Sequence, residues 1–349
     1  MSNLPPVNSP EVAQLGPSEL SAYRVCLAFE QQVTEQISVI HARILGYLIL
    51  HAPTENGRHE VVKAIHSCNK DFEVLSELGQ AFLDYFIRPF KELRRWTPAS
   101  SDNSSRTSSD EDEEDLQELE TIPKPEAPKN RLDAKNQALE RDGLRCVVTG
   151  LYDHDAAITK ISVEEIVAAG GAVGTGCAYI VPDPAYLDAF NTPMSSPLEK
   201  KYSASVLAIL KDFGYDVESL TDPNVHSLFN VMTMQFDVHV FFDRLNMWFE
   251  GTEIANFYKI QTISEWIKVP KLVNFTSSNP TKYPDLPSPK LLALHAACAK
   301  VAHLSGAGEY IDSLIADLDY LDELAFDGST SAVLNHALMN KAARSIGAW

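Results

Sequence analysis

The sequence lacks a long hydrophobic run. Its longest apolar stretch, residues 44–50, is far shorter than the roughly 18 apolar residues of a membrane-spanning helix. The start, MSNLPPVNSPEV, does not have the basic region followed by an apolar region that marks a secretory signal peptide. We therefore expect an intracellular protein, in the nucleus or the cytoplasm, that makes no contact with a membrane.

Cysteine is scarce, and several common motifs are missing. The five cysteines contain no CxxC pair, so neither a disulfide framework nor a structural zinc site is expected. The glycine-rich residues 170–176 do not follow the GxGxxG order, and no GxSxG sequence occurs. These absences exclude a recognisable dinucleotide-binding loop and a hydrolase nucleophile elbow.

Basic residues are outnumbered, and the formal net charge is −19. Residues 99–130 contribute ten acidic and three basic residues, and the rest of the chain is also acidic. Nucleic acid is a disfavoured partner because nonspecific binding needs Lys and Arg to replace counterions on the phosphates. Protein partners of the helical region or of the acidic segment are an alternative.

Changes in composition and periodicity divide the chain into six segments and predict an α+β protein. We expect a loose tail (1–17), a helical bundle (18–98), a disordered acidic linker (99–130), a second folded domain (131–285), helices packing on that domain (286–327) and a weakly ordered tail (328–349).

Apolar spacing predicts the individual elements. In the first part we expect one long helix from residue 18 to about 53, a turn at 55–57, and helices at 58–67 and 72–96. The elements expected in the second part are helices at 131–144, 198–213, 236–244 and 310–324, one starting at Ser288-Pro289, strands at 146–150, 178–181 and 230–234, and a hairpin of 246–249 with 257–260.

Candidate residues for catalysis and metal binding lie within residues 230–244. His239 and Asp243 are four residues apart, so a helix projects both from one face, where they could share a divalent metal. The simpler reading of this spacing is an ion pair on the helix surface. Likewise, Asn230 could cap a turn and Asp237 could cap the helix.

The order strand, excursion, strand and helix in this region resembles the HNH nuclease family, in particular its fungal branch with an added helical N-terminal region. The resemblance covers roughly residues 141–260. The segments that carry it are Arg145-Cys-Val-Val-Thr-Gly150, Ala178-Tyr-Ile-Val-Pro182, the stretch from His226 to Asn230, and His239 through Asp243-Arg244.

The resemblance implies a ββα-metal core with added helices and metal-dependent hydrolysis of phosphodiester bonds in nucleic acid. Asn230 would orient the general base, while His239 and Asp243 would hold a divalent ion such as Mg²⁺, Mn²⁺ or Zn²⁺. Arg244 would contact phosphate.

Tyr179 departs from the family pattern, which has histidine as the general base at this position. With a pKa near 10, tyrosine is a proton donor at neutral pH, and losing base catalysis typically costs about 10²–10⁴-fold in rate. His226 or His154 could substitute as base, or a bound metal could depress the Tyr179 pKa. The sequence thus predicts a weakened or lost nuclease, or alternatively a non-catalytic binding or scaffold protein.

Overall fold

The computed structural model describes residues 2–91, 125–182, 197–221 and 223–320. The chain is mixed α+β, as expected from the sequence. Its first part is formed by α1 (Pro17–Gln32), α2 (Gln36–His51), α3 (Glu55–Ser67), α4 (Phe72–Phe82) and α5 (Arg88–Lys91), with a π-helical stretch at Leu83–Ile87.

The prediction of one long helix from residue 18 to about 53 is wrong. The chain is extended at Val33 and Glu35, which separates α1 from α2. β-branched side chains at 33 and 34 favour extended backbone, while the apolar spacing continues on both sides and conceals the break.

The turn predicted at residues 55–57 is also wrong, because these residues form the first turn of α3. The hydroxyl of Thr54 accepts a hydrogen bond from the Gly57 N–H and so caps the helix. Residues 2–17 are not a loose tail either. Leu4 and Val12 are buried, and the Ser2 N–H donates to the Leu304 carbonyl.

The second part contains seven short strands and seven α-helices within the described residues. The strands are β1 (Tyr152–Asp153), β2 (Ala172–Val173), β3 (Thr175–Tyr179), β4 (Val231–Gln235), β5 (Met247–Gly251), β6 (Phe257–Thr262) and β7 (Leu272–Asn274). The helices are α6 (Arg131–Arg141), α7 (His154–Lys160), α8 (Val163–Ala168), α9 (Pro197–Asp212), α10 (Phe236–Asp243), α11 (Pro289–Ser305) and α12 (Ala307–Tyr320).

The strands form three separate sheets. β1 pairs in parallel with β2, β3 pairs antiparallel with β4, and β5, β6 and β7 form an antiparallel sheet in that order. The predicted hairpin of β5 and β6 is confirmed. Of the short strand entering a turn that was predicted at 146–150, only the turn forms, because the Gly150 N–H donates to the Cys146 carbonyl. Part of the glycine-rich segment 170–176 forms β2 and the start of β3.

The two parts share one core. α11 packs against α2 of the first part and against β5 of the second. Phe213, which follows α9, contacts the rings of Phe82 and Phe86, with centroids 6.2 and 5.2 Å away. The helices expected to pack on the second domain therefore contact the first part as well.

No helix within the described residues is long and apolar enough to cross a bilayer. The acidic linker predicted over residues 99–130 and the weakly ordered tail predicted at 328–349 lie outside the described residues, except for residues 125–130, which form no helix or strand.

Candidate functional site

The antiparallel hairpin of β3 and β4 has two faces with different surroundings. Side chains alternate along a strand, so Gly176 and Ala178 project to one face and Tyr179 to the other. Opposite them in register, Met234 and Met232 share the first face, and Val231 shares the second. The two faces pack against different helices, α10 and α6.

The α10 face carries the predicted metal ligands. His239 Nε2 lies 3.1 Å from Asp243 Oδ2, and both side chains are mostly buried. The imidazole lies directly over Gly176, where an added Cβ would be 3.1 Å from Nδ1. The absence of a side chain at position 176 therefore gives His239 its place against β3.

The α6 face carries Tyr179. Its ring packs with Ala134 and Ala138 of α6, and the side chain is only 5% exposed. The hydroxyl oxygen lies 2.7 Å from Nδ1 of the buried His226, and the Arg131 guanidinium carbon is 5.6 Å from the ring centroid. The structure therefore brings Tyr179 and His226 together, but on the face of the hairpin opposite His239 and Asp243.

Asn230 is a fully buried clamp between two segments of backbone. Its side-chain oxygen accepts from the Val181 N–H at 2.9 Å, while its amide nitrogen donates to the carbonyls of Val181 and Val225 at 3.2 and 3.0 Å. Through these three hydrogen bonds, the Asn230 side chain joins the end of β3 to the start of β4. They give Asn230 a structural role that involves no catalytic water.

The remaining candidates are more exposed. Arg244 is exposed and follows the last residue of α10. His154, the second substitute considered for the missing base, is an exposed residue at the start of α7, with Nδ1 3.3 Å from Asp155 Oδ1. Asp237 does not cap α10, because the N-cap residue is Gln235.

Two residues from other helices hold the carboxyl end of α10. The Lys91 ammonium of α5 donates to the Arg244 carbonyl at 3.2 Å and pairs with Asp312 at 3.0 Å. His295 of α11 places Nε2 3.1 Å from the Phe242 carbonyl and stacks on the Phe242 ring at 3.8 Å. The sequence did not predict either contact, because no local pattern indicates which residues far apart in the chain will meet.

The donors available for a metal are few. Among the described residues, no group of three or more His, Cys, Asp or Glu side chains is arranged to hold a metal ion. His239 and Asp243 thus offer one imidazole and one carboxylate, and bound metals generally take more protein ligands than two unless water or substrate completes the shell. The pair fits a divalent ion only weakly.

Comparisons with known protein families, with curated proteins and with solved structures gave no match to this chain.

Proposed function

We propose that this chain is a binding protein built on an HNH-like ββα unit, formed by β3, β4 and α10, in which hydrolysis of nucleic acid has been lost. The order of these elements and the packing of α10 on the hairpin support the likeness to the ββα arrangement. The positions of the candidate site residues support the loss of hydrolysis.

One observation carries this proposal. Tyr179, at the position of the general base, is buried against α6 on the opposite face of the hairpin from the His239–Asp243 pair. A general base has to reach the water or hydroxyl it deprotonates directly or through one water. The contact of Tyr179 with His226 and the clamp formed by Asn230 give both residues structural roles instead.

A cleavage assay tests the proposal. Purified full-length protein is incubated with Mg²⁺ or Mn²⁺ and either supercoiled plasmid or single-stranded RNA. We expect no cleavage by the wild type and none by Tyr179→His, because a histidine there would also face α6. Metal-dependent cleavage by the wild type that is lost in His239→Ala would overturn the proposal.

Metal-dependent phosphodiester hydrolysis is the second candidate function. The specific observation in its favour is that His239 and Asp243 lie 3.1 Å apart on the helix that follows the hairpin. Calorimetric titration with Mn²⁺ distinguishes this candidate from the first. Binding that disappears in both His239→Ala and Asp243→Ala would favour it, whereas no binding to the wild type would remove it.

A further inference from the structure

A cavity of about 340 Å³ lies on the outer flank of α10. We call it the α10 cavity. Its apolar wall is formed by Val240, Phe241 and Trp266, and its polar rim by Gln235, Asp237 and Lys268. Neither His239 nor Asp243 lines it. The volume falls at the small end of the roughly 300–1,000 Å³ range of ligand sites.

Trp266 gives the α10 cavity a flat aromatic surface. The indole is 63% exposed, which is unusual for the largest apolar side chain. Phe241 contacts it at a centroid distance of 5.4 Å and an interplanar angle of 76°, which supports the ring on one side. Val240, also well exposed, extends the apolar surface. Contiguous exposed apolar side chains of this kind mark binding sites.

The polar groups of the cavity have unused hydrogen-bonding capacity. Within the described residues, no ion pair involves Asp237 or Lys268. Gln235 Oε1 and the hydroxyl of Thr149, another lining residue, are buried and have no hydrogen-bond partner in the described chain. Because a buried polar atom without a partner costs free energy, a polar ligand that reaches them would be favoured.

We propose that the α10 cavity binds a nucleobase as part of a nucleotide. The base stacks on Trp266, its N–H edge faces Asp237 and Gln235, and the phosphate lies towards Lys268. A purely apolar ligand would leave the polar rim unsatisfied, and a metal ion would find a single carboxylate. This inference rests on the proposed binding function and gives it a ligand class.

The ligand could be a free nucleotide or one residue of a nucleic-acid strand. The net charge of −19 opposes a long polyanion much more than a single nucleotide. We therefore expect mononucleotides to bind the α10 cavity at least as tightly as a short single-stranded RNA does.

The test is calorimetric titration of the full-length protein with AMP, GMP, CMP and UMP, and separately with a short single-stranded RNA of mixed sequence. Trp266→Ala should weaken binding about 5- to 150-fold, which corresponds to the roughly 1–3 kcal/mol that stacking of one base contributes. Ile254→Ala is the matched control, since Ile254 is similarly exposed but does not line the cavity. It should bind as the wild type does.

If mononucleotides bind, the ligand of the cavity is a free nucleotide. If only the RNA binds, the ligand is one residue of a nucleic-acid strand. Either result supports the inference if it depends on Trp266. The inference is overturned if none of the five ligands binds the wild type, or if Trp266→Ala and Ile254→Ala bind equally well. Metal-dependent cleavage abolished by His239→Ala would overturn the proposed function while leaving the Trp266 result unaffected, so the two failures are distinguishable.

Discussion

At the scale of single residues, the three hydrogen bonds of Asn230 lead to a stability prediction. Asn230→Ala should lower the free energy of unfolding by about 3 kcal/mol or more, because buried backbone groups of Val181 and Val225 lose their partners. Urea unfolding measures this change. Asn224→Ala, which removes one exposed hydrogen bond, should cost about 0.5 kcal/mol or less. Unchanged stability of Asn230→Ala would refute the clamp.

The contact of Tyr179 with His226 makes a second prediction. Tyr179→Phe should lower the free energy of unfolding by about 1–3 kcal/mol, since it leaves the buried Nδ1 of His226 without the hydroxyl. Tyr258→Phe is the control, because Tyr258 is equally buried while its hydroxyl has no hydrogen-bond partner in the described chain. Equal unfolding midpoints in urea for the two variants would contradict a structural role for the Tyr179 hydroxyl.

The buried His41 predicts a dependence of stability on pH. Burial lowers the pKa of His41 to about 4 from its ordinary value of 6.5. The unfolded chain therefore binds more protons between these pH values, so the contribution of His41 is complete above pH 6.5 and falls as the pH drops towards 4. The loss attributable to this residue is at most about 3 kcal/mol.

Thermal or urea unfolding from pH 7 to pH 4 tests this dependence. The free energy of unfolding should fall less between pH 7 and pH 4 in His41→Gln than in the wild type. His59→Gln, at an exposed site on α3, should follow the wild type. Parallel curves for wild type and His41→Gln would show that the imidazole of His41 does not contribute.

At the scale of elements, periodicity predicted most helices but not their breaks. The apolar spacing on both sides of Val33 is regular, so only the extended conformation of 33–35 reveals two helices. The order of elements, through its resemblance to the ββα arrangement, implied the pairing of β3 with β4, yet it could not assign each face of the hairpin to a partner helix. That assignment depends on α6 and α10, which pack on opposite faces, and it separates Tyr179 from His239.

The carboxyl end of α10 depends on α5. Lys91 is almost completely buried, and its ammonium donates to the Arg244 carbonyl where the helix dipole is negative. Lys91→Met should lower the free energy of unfolding by about 1.5–3 kcal/mol, the range for a hydrogen bond to a charged group. Its other partner, Asp312, is 59% exposed and stays hydrated.

Hydrogen exchange of the Leu245 and Asn246 amides, which donate to Phe242 and Phe241 at the end of α10, measures the local effect. Exchange should be faster in Lys91→Met. Lys63→Met, which removes an exposed ion pair with Glu60, should change neither exchange nor stability by more than about 0.5 kcal/mol. Unchanged exchange in Lys91→Met would mean that α5 does not hold α10.

At the scale of the whole molecule, the linker composition predicted two folded parts and left open whether they dock on each other, and the structure has a single apolar core that crosses the boundary. Contacts between residues far apart in sequence make this core, and a local pattern cannot encode them. His295 of α11, for example, contacts Phe90 of the first part and Phe242 of the second.

The shared core predicts that the parts fold together. A chain of residues 125–349 alone would expose the surfaces of α11 and Phe213 that α2, Phe82 and Phe86 cover, so it should lack a cooperative thermal transition. Co-expression with residues 1–98 should restore a complex with a single transition.

Cleavage of the folded protein tests the same coupling. After cutting at an engineered protease site near residue 110, the two pieces should elute together as one species on size exclusion. Two separate transitions in the intact chain, or dissociation after the cut, would mean that each part is stable without the other. The apolar surface buried between the parts would then contribute too little free energy to couple their folding.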